Sequence, residues 1–163
     1  MTAPSVTESA LLRQAFSSFP SGVVALCAQV DGMPVGMAAS SFTSVSLEPA
    51  LVSVCVASTS TTWPVLRNHG RVGVSVLAEH HGEICRNLAA KTGDRFAGVT
   101  WSATEHGSVF LDDAVLRLDC TIAQEVSAGD HEIVVLQVND LSHEPARAPL
   151  VFHGSRFHRL AQG

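Results

Sequence analysis

The chain contains no tyrosine, and only 15% of its 163 residues are charged. No ring in it can offer a phenolic hydroxyl. Basic residues number ten, scattered along a chain of formal net charge −5. That balance argues against nucleic acid and against an anionic membrane surface as partner. No apolar run is long enough to cross a bilayer, and Met1 to Ser5 lack the basic and apolar pattern of a leader. A cytoplasmic location is the default expectation. Cys27, Cys55, Cys85 and Cys120 lie far apart, with no C-x-x-C. Free, buried thiols are expected rather than disulfides. His80 and His81 form the one adjacent histidine pair, and no H-x-x-x-H occurs, so no metal site is expected. There is no G-x-G-x-x-G, no Walker sequence and no Gly-x-Ser-x-Gly. A dinucleotide turn, a phosphate-cradling P-loop and a serine-hydrolase elbow are therefore absent as motifs.

Apolar residues make up 46% of the chain. One domain of this length can bury a sizeable core with that fraction. The surface left over is poor in charge, which predicts a self-association face. We find no internal repeat, low-complexity tract or linker, so residues 1–163 read as a single domain with its core at about 10–158.

Ser5 to Glu8 has the form of a capping box, followed by Leu11, Leu12, Ala15, Phe16 and Phe19 at helical spacing. Pro20-Ser21-Gly22 stops that helix. Val23 to Val30 reads as an apolar strand, and Asp31-Gly32 predicts a tight hairpin returning through Met33 to Ala39. Ala50 to Ala57 and Val72 to Leu77 read as further strands. Thr61 or Thr62 is placed to cap a short helix that contains Pro64 and stops at Gly70. A second short helix fits His81 to Ala90, with a turn or a further short helix from Asp94 to Val99. From Ala114 to Glu125 the chain alternates, with Leu116, Leu118, Cys120 and Ile122 inward and Arg117, Asp119, Thr121 and Ala123 outward. Ser127 to Asp130 is a turn. His131 to Leu141 and Leu150 to His153 complete the strands. Many strands with few helices predict a closed antiparallel barrel with helices at its edge.

Between two apolar strands lies Gly36-Met-Ala-Ala-Ser-Ser-Phe-Thr-Ser-Val-Ser-Leu-Glu-Pro49. Small side chains here would let a flat ligand approach the main chain, with hydroxyls at its rim. The same composition also suits a surface loop rich in hydroxyls. Ser58 to Thr62, just before a helix, offers either simple capping or a seat for a phosphate.

The Gly36 to Pro49 pattern is followed in order by Ser60-Thr61-Thr62-Trp63, Val74 to Ala78, Asp94 to Gly98 and Gly129-Asp130-His131. Together these marks resemble the flavin reductase family, over roughly residues 10 to 158. The resemblance implies a mainly β fold, an antiparallel FMN-binding split barrel of Greek-key type with a few peripheral helices. It implies hydride transfer from NADH or NADPH to FMN or FAD, delivery of reduced flavin to a partner monooxygenase, and a homodimer. His131 is the implied catalytic residue, placing the nicotinamide. Cofactor contacts are implied at Gly36, Met37, Ala38, Ala39, Ser40, Ser41, Val54, Cys55, Ser60, Thr62, Trp63, Ser75, Leu77, Ala78, His81, Arg95, Phe96, Arg156 and Phe157. Among these, Arg95 would stabilise the charge that reduced flavin gathers at its N1–O2 edge, or else pair with Asp94 or Glu105 on the surface. Phe157 stands where relatives often carry tyrosine. Two other readings stay open: a flavoprotein with tightly bound FMN acting on another substrate, and a flavin-binding module without catalysis.

Overall fold

The computed structural model describes residues 8–161. Ser5, Val6 and Thr7 of the expected capping box lie outside them. In chain order the elements are α1 (Ser9–Phe16), β1 (Ser21–Gly22), β2 (Val24–Val30), β3 (Met33–Ala39), β4 (Thr43–Leu47) and β5 (Ala50–Ala57). Then come α2 (Trp63–His69), β6 (Arg71–Val76), α3 (Gly82–Ala89), β7 (Trp101–Ala103) and β8 (Val109–Leu111). β9 (Leu116–Ala128), β10 (His131–His143), β11 (Val151–His153) and β12 (Arg156–His158) complete the chain.

The β2–β3 hairpin forms as its sequence predicts. Asp31 and Gly32 take φ of 52° and 78°, the mirror-image turn that matches strand twist. Seven strands make one antiparallel sheet in the order β3-β2-β6-β9-β10-β5-β4. Its two end strands, β3 and β4, are consecutive in the chain but do not pair. The expected closed barrel is thus corrected to a split one. β4 stops pairing with β5 at Thr43 opposite Ser53, which leaves the Cys55 peptide groups at the seam without a ladder partner. One side chain supplies it. Ser41 Oγ accepts the Cys55 N–H at 2.8 Å and donates to the Cys55 carbonyl at 3.1 Å.

β2 is buried on both faces, which explains its nearly unbroken apolar run. Val24, Leu26 and Ala28 point into the curled sheet. Val23, Ala25 and Cys27 point into a second core with α3, β8 and Leu150. β9 alternates as expected, with one correction. Asp119 on its outer face is only 8% exposed, because β8 and the turn before it cover it. Arg71 grips both its oxygens, at 3.2 and 2.6 Å, and the Ser108 hydroxyl donates to it. Burial pushes this carboxyl up, but the hydrogen bonds from Arg71 and Ser108 outweigh that and hold it below its usual value.

All four thiols are free, and Cys27, Cys85 and Cys120 are buried. Burial pushes Cys27 and Cys120 up to about 12. Among the described residues, no helix is long and apolar enough to cross a membrane.

Candidate active site

Three cavities border the end of β3, and Ala38 lines all of them. The largest, about 690 Å³, runs from Met37 and Ala38 to the loop Thr59–Thr62 and to Leu88, Lys91 and Arg95. A second, about 310 Å³, lies between Ala39, Ser40 and Ser41 and the end of β5, with His131 at its edge. The third, about 240 Å³, is bounded by Cys85, Arg86, Phe152 and Phe157. A floor of Ala38, Ala39 and Ser40 carries no bulk that would lift a flat ligand off the backbone. The hydroxyl-rich stretch therefore does two jobs. Its first half is the floor, and its second half, Thr43–Leu47, is the edge strand β4 rather than a loop.

The largest lobe gathers hydroxyls and cations from distant parts of the chain. Thr62 stands at the N-cap position of α2, as expected, but its side chain makes no capping bond; Ser60 Oγ accepts the Trp63 N–H at 3.1 Å instead. Thr62 Oγ1 accepts an N–H of Arg95 at 3.0 Å, which leaves its own proton free to donate. The same guanidinium holds the Gly36 carbonyl at 3.0 Å and the Ala90 carbonyl at 2.9 Å. Arg95 therefore fastens β3, the hydroxyl loop and the end of α3 together. Asp94 and Glu105 are not its partners. Asp94 instead accepts the Phe96 N–H at 2.9 Å. Among the described residues, neither Arg95 nor Lys91 has a carboxylate in ion-pair range. Two uncompensated cations beside three threonines and a serine make a lobe suited to an anion.

The second lobe is set by the β9–β10 turn. His131 opens β10 opposite Ala57. Its Nδ1 lies 2.8 Å from Asp130 Oδ1, and 46% of its side chain is exposed. The hydrogen bond from His131, with its charge, lowers the Asp130 carboxyl from its usual value. The Asp130 carbonyl accepts the Ser58 N–H at 2.9 Å, which ties this turn to the start of the hydroxyl loop. With Nδ1 turned to Asp130, Nε2 is left for a ligand.

Several residues expected at the cofactor are turned inward instead. Val54 and Leu77 are fully buried core side chains, and Ala78 is 2% exposed. Ser75 Oγ accepts the Leu111 N–H at 3.1 Å inside the second core. His81 is 1% exposed. Its Nδ1 accepts the Ala78 N–H at 2.9 Å, and Nε2 meets the Asp112 carbonyl at 3.1 Å. Burial, with the neighbouring His80, holds its ring below the usual histidine value. Trp63 is buried and donates through Nε1 to Glu125 at 2.9 Å. Arg67 joins that carboxylate to Glu132, which moors α2 against β9 and β10. Gly36 is covered too. A Cβ there would meet Cys27 Sγ at 2.5 Å and the Phe96 ring at 2.9 Å. Phe96 packs on the second core. All of these shape the cleft from behind, because their polar atoms already have partners or their surface is covered.

Met37, Ala38, Ala39, Ser40, Ser41, Cys55, Ser60, Thr62, Arg95 and His131 do line the first two lobes, and Phe157 lines the third. Arg156 is exposed on β12 and lines none of the three. Sequence reasoning left Lys91, Arg86 and Phe152 out of the site. The hairpin signal Gly154-Ser155 would have found Phe152, since it sets Phe152 opposite Phe157.

Solved structures similar to this one include proteins named as flavin reductases. Residues 16–161 match the family described as flavin reductase like domain. The chain is 39% identical to actinorhodin polyketide dimerase of Streptomyces coelicolor, over 92% of this chain and 85% of that protein. It is 36% identical to a flavin reductase of Pseudomonas putida, over 86% of this chain and 84% of the relative. Among solved structures, it superposes on Streptomyces globisporus NADH:FAD oxidoreductase SgcE6 in complex with NAD and FAD fragments. The TM-score is 0.91 and the identity 34%, covering 99% of this chain and 96% of that one. BorF, the flavin reductase component of a bacterial two-component tryptophan halogenase, aligns with a TM-score of 0.88 at 32% identity, over 96% and 100% of the two chains. On its sequence, its split sheet and the match across residues 16–161, the chain belongs to the flavin reductase like domain family.

Proposed function

We propose that this chain is an NAD(P)H-dependent flavin reductase whose reduced product serves a partner monooxygenase. The observation that carries the reading is the cleft itself: a floor of small side chains between an anion-suited lobe and a histidine. When bound, the nicotinamide supplies a hydride donor at C4 and the flavin an acceptor at N5.

The protein's part is placement. Arg95 and Lys91 neutralise a flavin phosphate, and the free proton of Thr62 donates to it. Arg95 is assigned to that phosphate rather than to the N1–O2 edge of the ring, because three hydrogen bonds fix it at the hydroxyl loop. Ala38 and Ala39 allow close stacking. His131, held at Nδ1 by Asp130, presents Nε2 to the nicotinamide carboxamide. No side chain acts as a nucleophile.

Thr59, Thr61 and Lys91 at the rim are exposed, which suits a flavin that enters and leaves as a substrate. The outer face of β5, β10 and β9 sets Cys55 beside Ile133 and Val126, and Ile133 and Val126 are 37% and 42% exposed. That apolar strip beside the His131 lobe supports a homodimer with the cleft at its interface. Four free thiols fit a cytoplasmic compartment.

The test is a steady-state assay crossing FMN and FAD with NADH and NADPH, followed at the nicotinamide absorbance. Turnover with added flavin, and flavin lost from the protein on gel filtration, are expected. No oxidation with any of the four pairs would leave a binding module. Flavin retained through the column would favour a prosthetic group and another substrate.

A further inference from the structure

The proposed reaction occupies two lobes of the cleft and leaves the third without a task. That lobe is about 240 Å³. Whole-ligand pockets run from roughly 300 Å³ upward, so it has room for one fragment of a ligand. Its walls are apolar: Val23, Ala89, Phe152 and Phe157. One cation breaks that pattern. The Arg86 guanidinium lies 5.0 Å from the centre of the Phe157 ring, over its face. Among the described residues no carboxylate comes within ion-pair range of it, Glu83 one turn earlier included.

An unpaired guanidinium backed by an aromatic ring is a flat, weakly hydrated platform. It stacks planar, electron-rich rings better than it holds aliphatic groups. The lobe also shares Ala38, Ala39 and Ser40 with the His131 lobe, so it lies beside the space proposed for the reacting rings. A purine at the far end of a nucleotide meets all three conditions: flatness, fragment size and a place next to the rest of the ligand.

We propose that the Arg86–Phe157 lobe is a purine subsite that holds the adenine of a dinucleotide bound in the cleft. This rests on the flavin reductase reading. The adenine has two sources, the nicotinamide dinucleotide and FAD, and the geometry of the lobe is the same for both.

The probe for the shared chemistry is AMP, titrated by calorimetry into the full chain. Arg86 is exposed, so Arg86→Ala removes the platform without opening the core, and thermal unfolding verifies that. AMP affinity is expected to fall about tenfold in Arg86→Ala. Phe157→Leu, which keeps apolar volume and loses the ring, should weaken AMP in the same direction. The source is then read from steady-state KM values. If the adenine comes from the nicotinamide dinucleotide, Arg86→Ala raises the KM for NADH about tenfold. The KM for reduced nicotinamide mononucleotide, which has no adenine, then shifts less than about twofold. If it comes from FAD, the KM for FAD rises and that for FMN does not. Either split supports the subsite. Unchanged AMP binding in both variants, or weakened AMP binding with neither KM split, overturns it. Wild-type protein that oxidises no NADH with any flavin would instead sink the reductase reading, and the AMP titration would still report on the lobe.

Discussion

His81 and His131 carry the same ring and opposite roles. His81 is sealed at the start of α3 with both nitrogens engaged by the protein's own backbone. His131 stands at the barrel lip with one nitrogen engaged by Asp130 and nearly half its side chain exposed. Ser75 and Thr62 repeat the contrast. Ser75 caps a buried N–H of β8, while Thr62 accepts from Arg95 and keeps a proton for the cleft. A motif residue can therefore build the site or act in it. What separates the two is whether its polar atoms are already paired inside the fold.

The largest effect expected is on the sealed side. His81→Ala leaves the Ala78 N–H and the Asp112 carbonyl without partners and opens a void. It should cost about 3 kcal/mol of stability, read as a drop in Tm, with the flavin KM of the folded fraction unchanged. The same ring gives a pH signature. Burial holds its folded value below the usual 6.5. The stability it lends is complete above that pH and is lost as the pH falls through the lowered value. Urea unfolding between neutral and mildly acidic pH should show a slope for wild type that is reduced in the variant. A large change in flavin KM with normal stability would break the comparison.

Next in size is the open side. His131→Ala should lower kcat/KM for NADH about tenfold, roughly 1.4 kcal/mol, with Tm and flavin KM little changed. Equal kcat and KM for NADH in variant and wild type would remove His131 from the reaction. The smallest change sharpens the contrast between hydroxyls. Thr62→Val keeps shape and loses the donor, so the flavin KM should rise about threefold, or ~0.7 kcal/mol. A drop in Tm of the size expected for a buried hydroxyl would show Thr62 to be structural like Ser75.

Much of the fold was legible because periodicity and turn chemistry are local. Asp31-Gly32 specified its hairpin, and the alternation from Leu116 to Ile122 specified the inward face of β9. The strands that escaped reading had no such signal. Thr43–Leu47 lies at the sheet edge with Leu47 96% exposed, so no buried face wrote a pattern into it. Asp119 looked solvated for the converse reason. Its cover comes from Ser108, just before β8, and from Arg71, two segments that local spacing does not bring near it.

The site divides along the same line. The hydroxyl-rich stretches and the Gly129-Asp130-His131 turn announced themselves in the chain, since small residues, hydroxyls and turn formers are read one neighbourhood at a time. The hydroxyl loop carries no cation of its own. Folding brings Arg95 and Lys91 to it from some thirty residues away, and Arg95 reaches Thr62 at 3.0 Å. The sequence by itself determined which residue types were on hand for binding and where the chain had to turn. Only the tertiary structure decided which of them kept a free polar atom, because that depends on partners supplied by distant strands and helices.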